Sequence, residues 1–226
     1  MATATWKNPV NDEPKRENPK TTEQLLHEGE QGESGSLDEL FLRHRERLRH
    51  MVRVRLDGRV RRRVDDSDVL QDVYLEASRR MDYYLSNRGV PFFVWLRSLA
   101  AERIIQLHRH HLGAEARDVR REVPLDRAAF PQATSAVLAA NLLGTMTTAS
   151  QEFARAELKL KLQEGLESLE PKDREVLSLR HFECLTNEEV AVELGLSKSA
   201  ASKRYMRAGL KLKKILESMP GGLGAS

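Results

Sequence analysis

Apolar residues recur at intervals of three and four along two long parts of the chain, a spacing that predicts amphipathic helices. In the first part, helices are predicted at about 37–56, 65–85 and 92–111. Asp57-Gly58 breaks the pattern between the first two helices, and the turn-forming loop 86–91 breaks it between the last two. The predicted buried positions are Leu37, Phe41, His44, Leu48 and Val52 in the first helix, Val69, Val73, Ala77 and Met81 in the second, and Phe93, Leu96, Leu99, Ala100, Arg103, Ile104 and Leu107 in the third.

The second part begins near Glu152, where two further helices are predicted on either side of Pro171, which suits the first turn of the later one. Two helices joined by a tight turn follow between Leu185 and Arg204. Gly195 ends the first of this pair, because glycine adopts a left-handed backbone without a steric penalty. The predicted caps are Thr186 or Asn187 for the first helix and Ser197 for the second, whose apolar positions are Ala201, Tyr205, Ala208, Leu212 and Ile215.

The last of these helices has a polar and basic face in its N-terminal half. A short helix, a glycine turn and a second helix with such a face are typical of a helix-turn-helix that reads DNA. An ordinary helical hairpin with a solvated basic face is the alternative. The residues on this face are Lys198, Ser199, Ser202, Lys203, Met206 and Arg207.

These patterns predict an all-α protein of two small helical domains joined by a flexible linker, with the helix-turn-helix in the second domain. We expect the domains at 37–112 and 151–218 and a frayed tail at 219–226. The linker, at 113–150, is long enough for the domains to sit well apart on a large partner.

Two segments outside these domains have weaker patterns. Residues 1–36 are rich in Pro, Lys, Glu, Gln and Gly and are expected to be a disordered extension. The alternative there is a short helix that starts at Leu25-Leu26. Within the linker, a loose helix is expected at 135–143.

The distribution of charge along the chain says more about function than the overall composition does. The 226 residues carry a formal net charge of +3 and a pI of about 9.0, a mild excess of base that does not by itself predict nucleic-acid binding. Basic residues cluster at 43–63, 97–121 and 198–214, whereas acidic residues cluster at 65–76 and 183–193. This alternation predicts separate DNA-facing and protein-facing surfaces. The first basic cluster favours contact with phosphate or with a tightly paired acidic partner.

The single cysteine, Cys184, excludes an intrachain disulfide and fits a reducing cytoplasm. It is expected to be a small buried hydrophobic residue in the connector before the helix-turn-helix. The N-terminal segment lacks an apolar signal core, and no apolar run reaches transmembrane length. A soluble cytoplasmic protein without membrane insertion is therefore expected.

The helix predicted at 65–85 opens with the acidic residues Asp65, Asp66 and Asp68. Helix capping explains one of the first two carboxylates, but it does not explain Tyr74 and Leu75 on an otherwise acidic flank. The arrangement predicts a surface that docks on another protein. A metal site on the three aspartates is the alternative, and it lacks a histidine or further acid to complete it.

Aromatic and basic residues concentrate around the loop 86–91. Such a combination suits a platform for single-stranded nucleic acid, since bases stack on rings while arginines hold phosphates. Phe93 and Trp95 are expected to be core residues instead. The run from His108 to His111 predicts a cationic helix end rather than a metal cluster. The other members of this group are Tyr83, Tyr84, Arg88, Phe92, Arg97 and Arg103.

The order of these motifs resembles the extracytoplasmic-function (ECF) group of bacterial RNA polymerase sigma factors, in the sigma-70 family. The stretch from Asp65 to Leu75 is similar to that family's helix for docking on the polymerase clamp, and the stretch 93–100 to the start of its promoter-melting helix. Residues 169–208 are similar to its reader of the upstream promoter element. The resemblance covers about 37–217. The chain departs from the family pattern at Glu102 and Gln106 (usually Asn and Asp), Cys184 (usually Gly), and Ala200 and Ala201 (usually Thr and Val).

The resemblance implies a transcription initiation factor that binds core RNA polymerase and directs it to specific promoters. It also implies double-stranded promoter DNA and the melted non-template strand as partners, allows an anti-sigma factor, and requires no cofactor, metal or catalytic residue. The residues that the resemblance assigns to polymerase binding are Asp65, Asp66, Asp68, Gln71, Asp72, Tyr74, Leu75 and Arg79. Those that it assigns to the melted −10 element are Tyr83, Tyr84, Asn87, Arg88, Phe92, Arg97, Arg103, His108 and Arg109. Those that it assigns to the −35 element are Lys198, Ser199, Ser202, Lys203, Arg204, Met206 and Arg207.

Two other functions share parts of this pattern. A repressor or activator that binds DNA alone would use the same helix-turn-helix, and it would need a dimerisation or ligand domain within 37–112. A helical metal-dependent hydrolase would use the three aspartates at 65–68, and it would show metal-dependent turnover.

Overall fold

The computed structural model describes residues 20–33, 35–112, 133, 135–144 and 152–218. The predicted tail, the rest of the predicted linker and the start of the predicted extension lie outside these residues. Every regular element described is helical, which confirms the all-α prediction. The elements are α1 (Thr22–Glu30), α2 (Ser36–Arg55), α3 (Gly58–Arg61), α4 (Asp66–Ser86), α5 (Phe92–Leu112), α6 (Ser135–Gly144), α7 (Glu152–Glu167), α8 (Pro171–Leu177), a π-helical turn (Ser178–Phe182), α9 (Asn187–Leu194) and α10 (Lys198–Ser218).

In the N-terminal domain, α2, α4 and α5 pack around one aliphatic core. Their predicted apolar positions are largely buried, as Leu48, Val73 and Leu96 illustrate, but Arg103, predicted on the buried face of the third helix, is partly exposed. Asp65 caps α4 by accepting a hydrogen bond from the backbone N–H of Ser67 (2.7 Å). The three long helices predicted from periodicity are thus confirmed, each within two residues of its expected ends.

A helix that the sequence did not favour precedes this domain. α1 packs on α2 and α4, and its Leu25 and Leu26 side chains are buried there. Thr21 caps α1 together with Gln24 in a reciprocal capping box. The prediction of disorder across 1–36 is therefore wrong for residues 20–33, because two adjacent leucines find a groove between neighbouring helices.

The C-terminal domain begins earlier in the chain than expected. α6, predicted as a loose linker helix, packs against α7 and buries Leu138 and Ala139. Arg174 fastens its start by donating to the Ser135 hydroxyl (3.2 Å). The prediction that this domain starts at residue 151 is wrong, because α6 completes its core. α7 in turn passes close to α10, where a Cβ on Gly165 would lie 3.1 Å from the Leu216 side chain.

The two domains are in contact. α2 of the N-terminal domain faces the π-helical turn, and α5 faces α9. The linker is long enough for the domains to separate, but in this structure charged side chains join them directly.

Candidate nucleic-acid interface

The helix-turn-helix is built by local signals at both ends of α9. Thr186 accepts a hydrogen bond from the backbone N–H of Glu189 (3.2 Å), and the Glu189 carboxylate accepts one from the backbone N–H of Thr186 (2.7 Å). Gly195 ends the helix with φ 63° and ψ 37°, in the left-handed region. Ser197 then accepts a hydrogen bond from the Ala200 N–H (3.2 Å) at the start of α10. The predicted motif is confirmed.

α10 divides its side chains as the sequence predicted. Ala201 and Ala208 are buried against the domain, whereas Lys203 and Arg207 are exposed and Met206 is 58 % exposed. The open face forms a shallow groove, and within the described residues its cations Lys203 and Arg207 have no ion-pair partner; Arg204 lies beside this face and is partly exposed. Lys198 lies 3.5 Å from Glu188 on the exposed surface, and Ser199 is also exposed. The groove is lined by Ser202, Lys203, Met206 and Arg207.

The aromatic residues around the loop 86–91 separate into exposed and buried groups. Tyr83 is 72 % exposed and is available to stack on a base. Tyr84 and Phe92 are buried, and the Tyr84 ring stacks on Trp95 with 4.5 Å between centroids. The prediction that Tyr84 and Phe92 present their rings to DNA is wrong for this conformation, because both rings are core.

The polar residues of that loop are held by neighbours. Asn87 donates from its side chain to the Tyr83 carbonyl (3.0 Å). Arg88 pairs with two acids of α1, at 3.5 Å from Glu23 and 2.7 Å from Glu30. α1 thus already partly neutralises one arginine predicted to contact DNA.

The predicted DNA contacts along α5 have differing environments. Arg97 is only 2 % exposed and pairs with two glutamates of the C-terminal domain, so it is closed to DNA in this structure. Arg103 forms an ion pair with Asp72 (2.6 Å), which joins α5 to the predicted polymerase surface on α4. His108 accepts a hydrogen bond from the Asp57 backbone N–H (3.0 Å), and burial lowers its pKa. Arg109 is exposed in the last turn of the helix.

The predicted polymerase surface lies on the outer side of α4. Leu75 is 45 % exposed, and Asp68, Gln71 and Arg79 are exposed beside it. The Tyr74 hydroxyl donates to Asp38. The backbone hydrogen bond from Ser67 lowers the pKa of Asp65.

Asp66 lies at the same end of the helix and pairs with Arg53 (2.5 Å). Among the described residues, no group of three or more His, Cys, Asp or Glu side chains is placed to hold a metal ion. Nor is any helix within the described ranges long and apolar enough to cross a membrane.

Cys184 differs from its prediction. Its side chain is exposed, and its backbone has φ 55°, the only non-glycine residue among those described with a positive φ. This left-handed conformation explains why glycine is common at the position in the resembled family, since glycine adopts it without a Cβ penalty. The preceding residue, Glu183, contacts Arg55 and Arg97 of the other domain.

Sequence reasoning missed the residues that join the two domains. The side chains of Arg55 and Glu183 are fully buried and hydrogen-bonded to each other, although they lie 128 positions apart in the sequence. The basic cluster at 43–63 was the signal in the sequence, since it was expected to contact phosphate or a tightly paired acidic partner. That partner belongs to the same chain.

Comparison with known proteins agrees with the helix-turn-helix geometry. Residues 159–212 match the family model described as sigma-70, region 4. The RNA polymerase sigma factor CarQ of Myxococcus xanthus is 26 % identical over 185 residues, which cover 82 % of this chain and 91 % of CarQ. The solved structure of CnrH in complex with the cytosolic domain of CnrY is 23 % identical, with a TM-score of 0.48, over 87 % of this chain and 97 % of that one.

The family match falls on the domain that carries the helix-turn-helix, and the alignment with CarQ extends through both domains. Both agree with the order of motifs along the sequence. The region 4 match and the similarity to CarQ both support the resemblance of this chain to RNA polymerase sigma factors of the sigma-70 family.

Proposed function

We propose that this sigma factor docks on core RNA polymerase through α4 and directs it to promoters that it reads at two places. α10 reads the −35 element in the major groove, and the region from Tyr83 to the end of α5 holds the melted −10 strand. The factor works by binding alone, in the cytoplasm where the polymerase acts. The role in initiation is supported by the region 4 match and by the similarity to the sigma factor CarQ, and the assignment of surfaces is our proposal.

The observation that carries the proposal is the open basic face of α10. Its donors Lys203 and Arg207 extend from a helix whose opposite side is anchored in the domain core, and Arg204 lies at the edge of this face. Arginine and lysine recognise guanine edges and phosphates, and a helix fits the width of the major groove. Ser199 and Ser202 are positioned to add shorter-range contacts to bases or phosphates.

The polymerase surface is supported by the mixed character of α4. An exposed apolar side chain, Leu75, sits among Asp68, Gln71 and Arg79. Protein interfaces typically combine such an apolar anchor with a polar rim. Leu75, Asp68, Gln71 and Arg79 stay exposed while the two domains are in contact, so this surface is accessible in the observed arrangement.

The melting role is supported by exposed Tyr83 and by cations near it and along α5. Opening a promoter requires no catalytic residue, since contacts that stack on and hold the unpaired strand stabilise it against re-pairing. Arg88 and Arg103 can exchange their present acidic partners for phosphates. Arg97 becomes available only when the two domains part.

Run-off transcription on genomic fragments, with purified core RNA polymerase and with or without this protein, tests the proposal. We expect defined start sites that appear only when the protein is added, and aligning them will give the promoter sequence. Specific DNA binding by the protein alone, with no effect on the polymerase, would instead support a stand-alone regulator.

A further inference from the structure

The basic cluster at 43–63 divides into two parts in the folded chain. On α2, Arg47, Arg53 and Arg55 each pair with a carboxylate, at 2.5, 2.5 and 2.6 Å. The three arginines at 61–63 differ, because their side chains are exposed and have no ion-pair partner among the described residues. We call these three residues, Arg61, Arg62 and Arg63, the arginine cap.

The short helix α3 holds the arginine cap on an ordered backbone. Val60 in α3 is fully buried, and its carbonyl accepts hydrogen bonds from the backbone N–H groups of Arg63 (2.9 Å) and Val64 (3.1 Å). Asp57 caps the helix by accepting a hydrogen bond from the Arg59 backbone N–H (2.8 Å). Because the backbone is already fixed, binding through the arginine cap requires the ordering of side chains alone.

The arginine cap lies at the C-terminal end of α5. α3 packs against α5, and the backbone N–H of Asp57 donates to His108 Nε2 (3.0 Å). Arg109, in the last turn of α5, is exposed at the same end. Two elements far apart in the sequence therefore form one basic surface.

The acids nearest in the sequence do not neutralise this surface. Asp57 pairs with Arg59 (3.1 Å), and Asp66 pairs with Arg53 (2.5 Å). The carboxylate of Asp65 caps α4 instead. Since guanidinium groups stay protonated in proteins, the arginine cap keeps three positive charges that the described part of the chain leaves uncompensated.

The chemistry of the arginine cap fits a phosphate backbone. Arginine binds phosphate through two parallel hydrogen bonds, and duplex DNA presents one phosphate per about 1.7 Å of its axis. An acidic protein segment has the same charge, but protein interfaces also bury apolar side chains. Within the described residues, no large apolar side chain of 57–64 or of the last turn of α5 is exposed. These observations favour duplex DNA over an acidic protein.

We propose that the arginine cap is a third DNA-binding surface, which binds the phosphates of the duplex between the −10 and −35 elements without reading its sequence. This inference rests on the proposed function, which places Tyr83 and α5 on the melted −10 strand. α5 runs from the loop 86–91 to the arginine cap, and the chain then continues towards the domain that we place on the −35 element. The arginine cap therefore lies on the −35 side of the melted strand.

The length of α5 sets how far from the melted strand this contact falls. At about 1.5 Å per residue, Phe92 and His108 are about 24 Å apart along the helix axis. This length corresponds to about seven base pairs, at about 3.4 Å each. The contact is therefore expected about seven base pairs from the bases beside Tyr83.

Binding of the whole chain to a short fluorescein-labelled duplex of arbitrary sequence, followed by anisotropy, tests the arginine cap without polymerase. The triple variant Arg61→Gln, Arg62→Gln, Arg63→Gln should bind about tenfold more weakly. Its slope of log affinity against log salt should be shallower by about two to three, since each lost phosphate contact removes about 0.9.

Two further triple variants serve as controls for charge. Replacing the same three arginines with lysine should retain most of the affinity, because lysine also binds phosphate, as a point charge. The matched control replaces three exposed lysines of the C-terminal domain with glutamine and changes the net charge equally. It should alter the affinity and the salt slope far less. Its substitutions are Lys172→Gln, Lys213→Gln and Lys214→Gln.

Directed cleavage locates the contact on a promoter that run-off transcription has identified. Cys184 is replaced by serine, and an iron chelate that cleaves nearby DNA is attached to the cysteine of Arg62→Cys. In the complex with core RNA polymerase, we expect cleavage in the duplex between the two elements, about seven base pairs from the melted strand. Cleavage only on the other side of the −10 element, or no cleavage by a complex that still transcribes, would overturn this placement.

The outcomes separate the arginine cap from the proposed function. Equal affinities and salt slopes for the wild type and for both glutamine variants, all folded by circular dichroism, would overturn the cap as a DNA surface. A larger loss of affinity for poly-glutamate than for the duplex would assign it to an acidic protein and overturn it as well. Weakened duplex binding by the Arg→Gln variant, with no defined start sites from the wild type and polymerase, would leave the DNA surface standing and contradict the proposed function.

Discussion

α2 and α10 are helices of nearly equal length, with 20 and 21 residues, and both are rich in basic side chains. Most arginines of α2 pair with acids, as Arg49 does with Glu46, Arg53 with Asp66, and Arg55 with Glu175 and Glu183. Lys203 and Arg207 of α10 have no such partners within the described residues and are exposed, whereas Lys211 further along the helix pairs with Asp173. The number of basic residues therefore does not distinguish a DNA surface from a protein interface; the acids brought near them by the fold do.

The largest expected effect is on promoter binding, when side chains are removed from the exposed face of α10. Replacing Lys203 and Arg207 together with alanine removes two side chains that we place on promoter DNA. At about 2 kcal/mol for each side chain, binding of the polymerase complex to the promoter should weaken about a thousandfold. The slope of log affinity against log salt should also become shallower, by about one for each phosphate that the variant no longer neutralises. Lys213→Ala with Lys214→Ala, later in the same helix, is the control and should have a much smaller effect.

The burial of one face of α2 can be tested through His44, by the pH dependence of the free energy of unfolding. The ring of this histidine contacts the rings of Phe92 and Phe93, and within the described residues neither ring nitrogen has a hydrogen-bond partner. Burial, with a further contribution from Arg47, lowers its pKa from 6.5 to about 4. As pH falls from 6.5 to about 4, the unfolded chain binds a proton that the folded chain does not, so the free energy of unfolding decreases. The decrease should reach about 3 kcal/mol.

Urea unfolding at a series of pH values measures this decrease. The His44→Leu variant should lack that part of the pH dependence, whereas His50→Leu, which changes an exposed histidine of the same helix, should retain it. A wild-type profile that is flat across the range would show that this part of α2 is not buried.

A smaller effect is expected at the polymerase surface. Leu75→Ser removes an exposed apolar side chain from α4 and should weaken binding to core RNA polymerase about tenfold, the effect of removing roughly 1.4 kcal/mol of apolar burial. Leu42→Ser is the control, since Leu42 is 68 % exposed on the basic helix α2. Equal weakening by both substitutions, measured by titration with labelled protein, would contradict the assignment of the docking surface to α4.

The smallest effect is on the free energy of unfolding, when Cys184 with its left-handed backbone is replaced. A Cβ in the left-handed conformation of Cys184 costs about 1 kcal/mol, and the greater flexibility of glycine in the unfolded chain offsets part of the gain. Cys184→Gly should therefore raise the free energy of unfolding by about 0.5 kcal/mol. Cys184→Ala keeps the Cβ and should not stabilise the protein. The denaturant midpoints of the wild-type, Cys184→Gly and Cys184→Ala proteins measure these differences in stability.

Local signals were sufficient to predict much of the molecule. The long helices followed from apolar spacing, and the helix-turn-helix followed from Thr186, Gly195 and Ser197, whose roles depend on residues only a few positions away. α1 was missed because two leucines in a polar segment have no helical partners until α2 and α4 supply a groove. Arg97 was assigned to DNA because its partner Glu183 lies 86 positions away.

The aromatic residues show the same limit in another form. Tyr83 and Tyr84 are neighbours in the sequence, yet one is exposed and the other stacks on Trp95 in the core. Aromatic residues beside arginines form the same sequence pattern whether their rings are exposed to stack on a base or are buried in the core. Only the packing of α4 on α5 distinguishes the two cases.

The most direct test of the whole account is promoter-specific run-off transcription by core RNA polymerase with the Lys203→Ala, Arg207→Ala protein, with polymerase binding measured on the same samples. The account predicts that the specific transcript disappears while binding to the polymerase is retained. Equal reduction of transcript and polymerase binding, or an undiminished transcript, would contradict the assignment of α10 to the promoter.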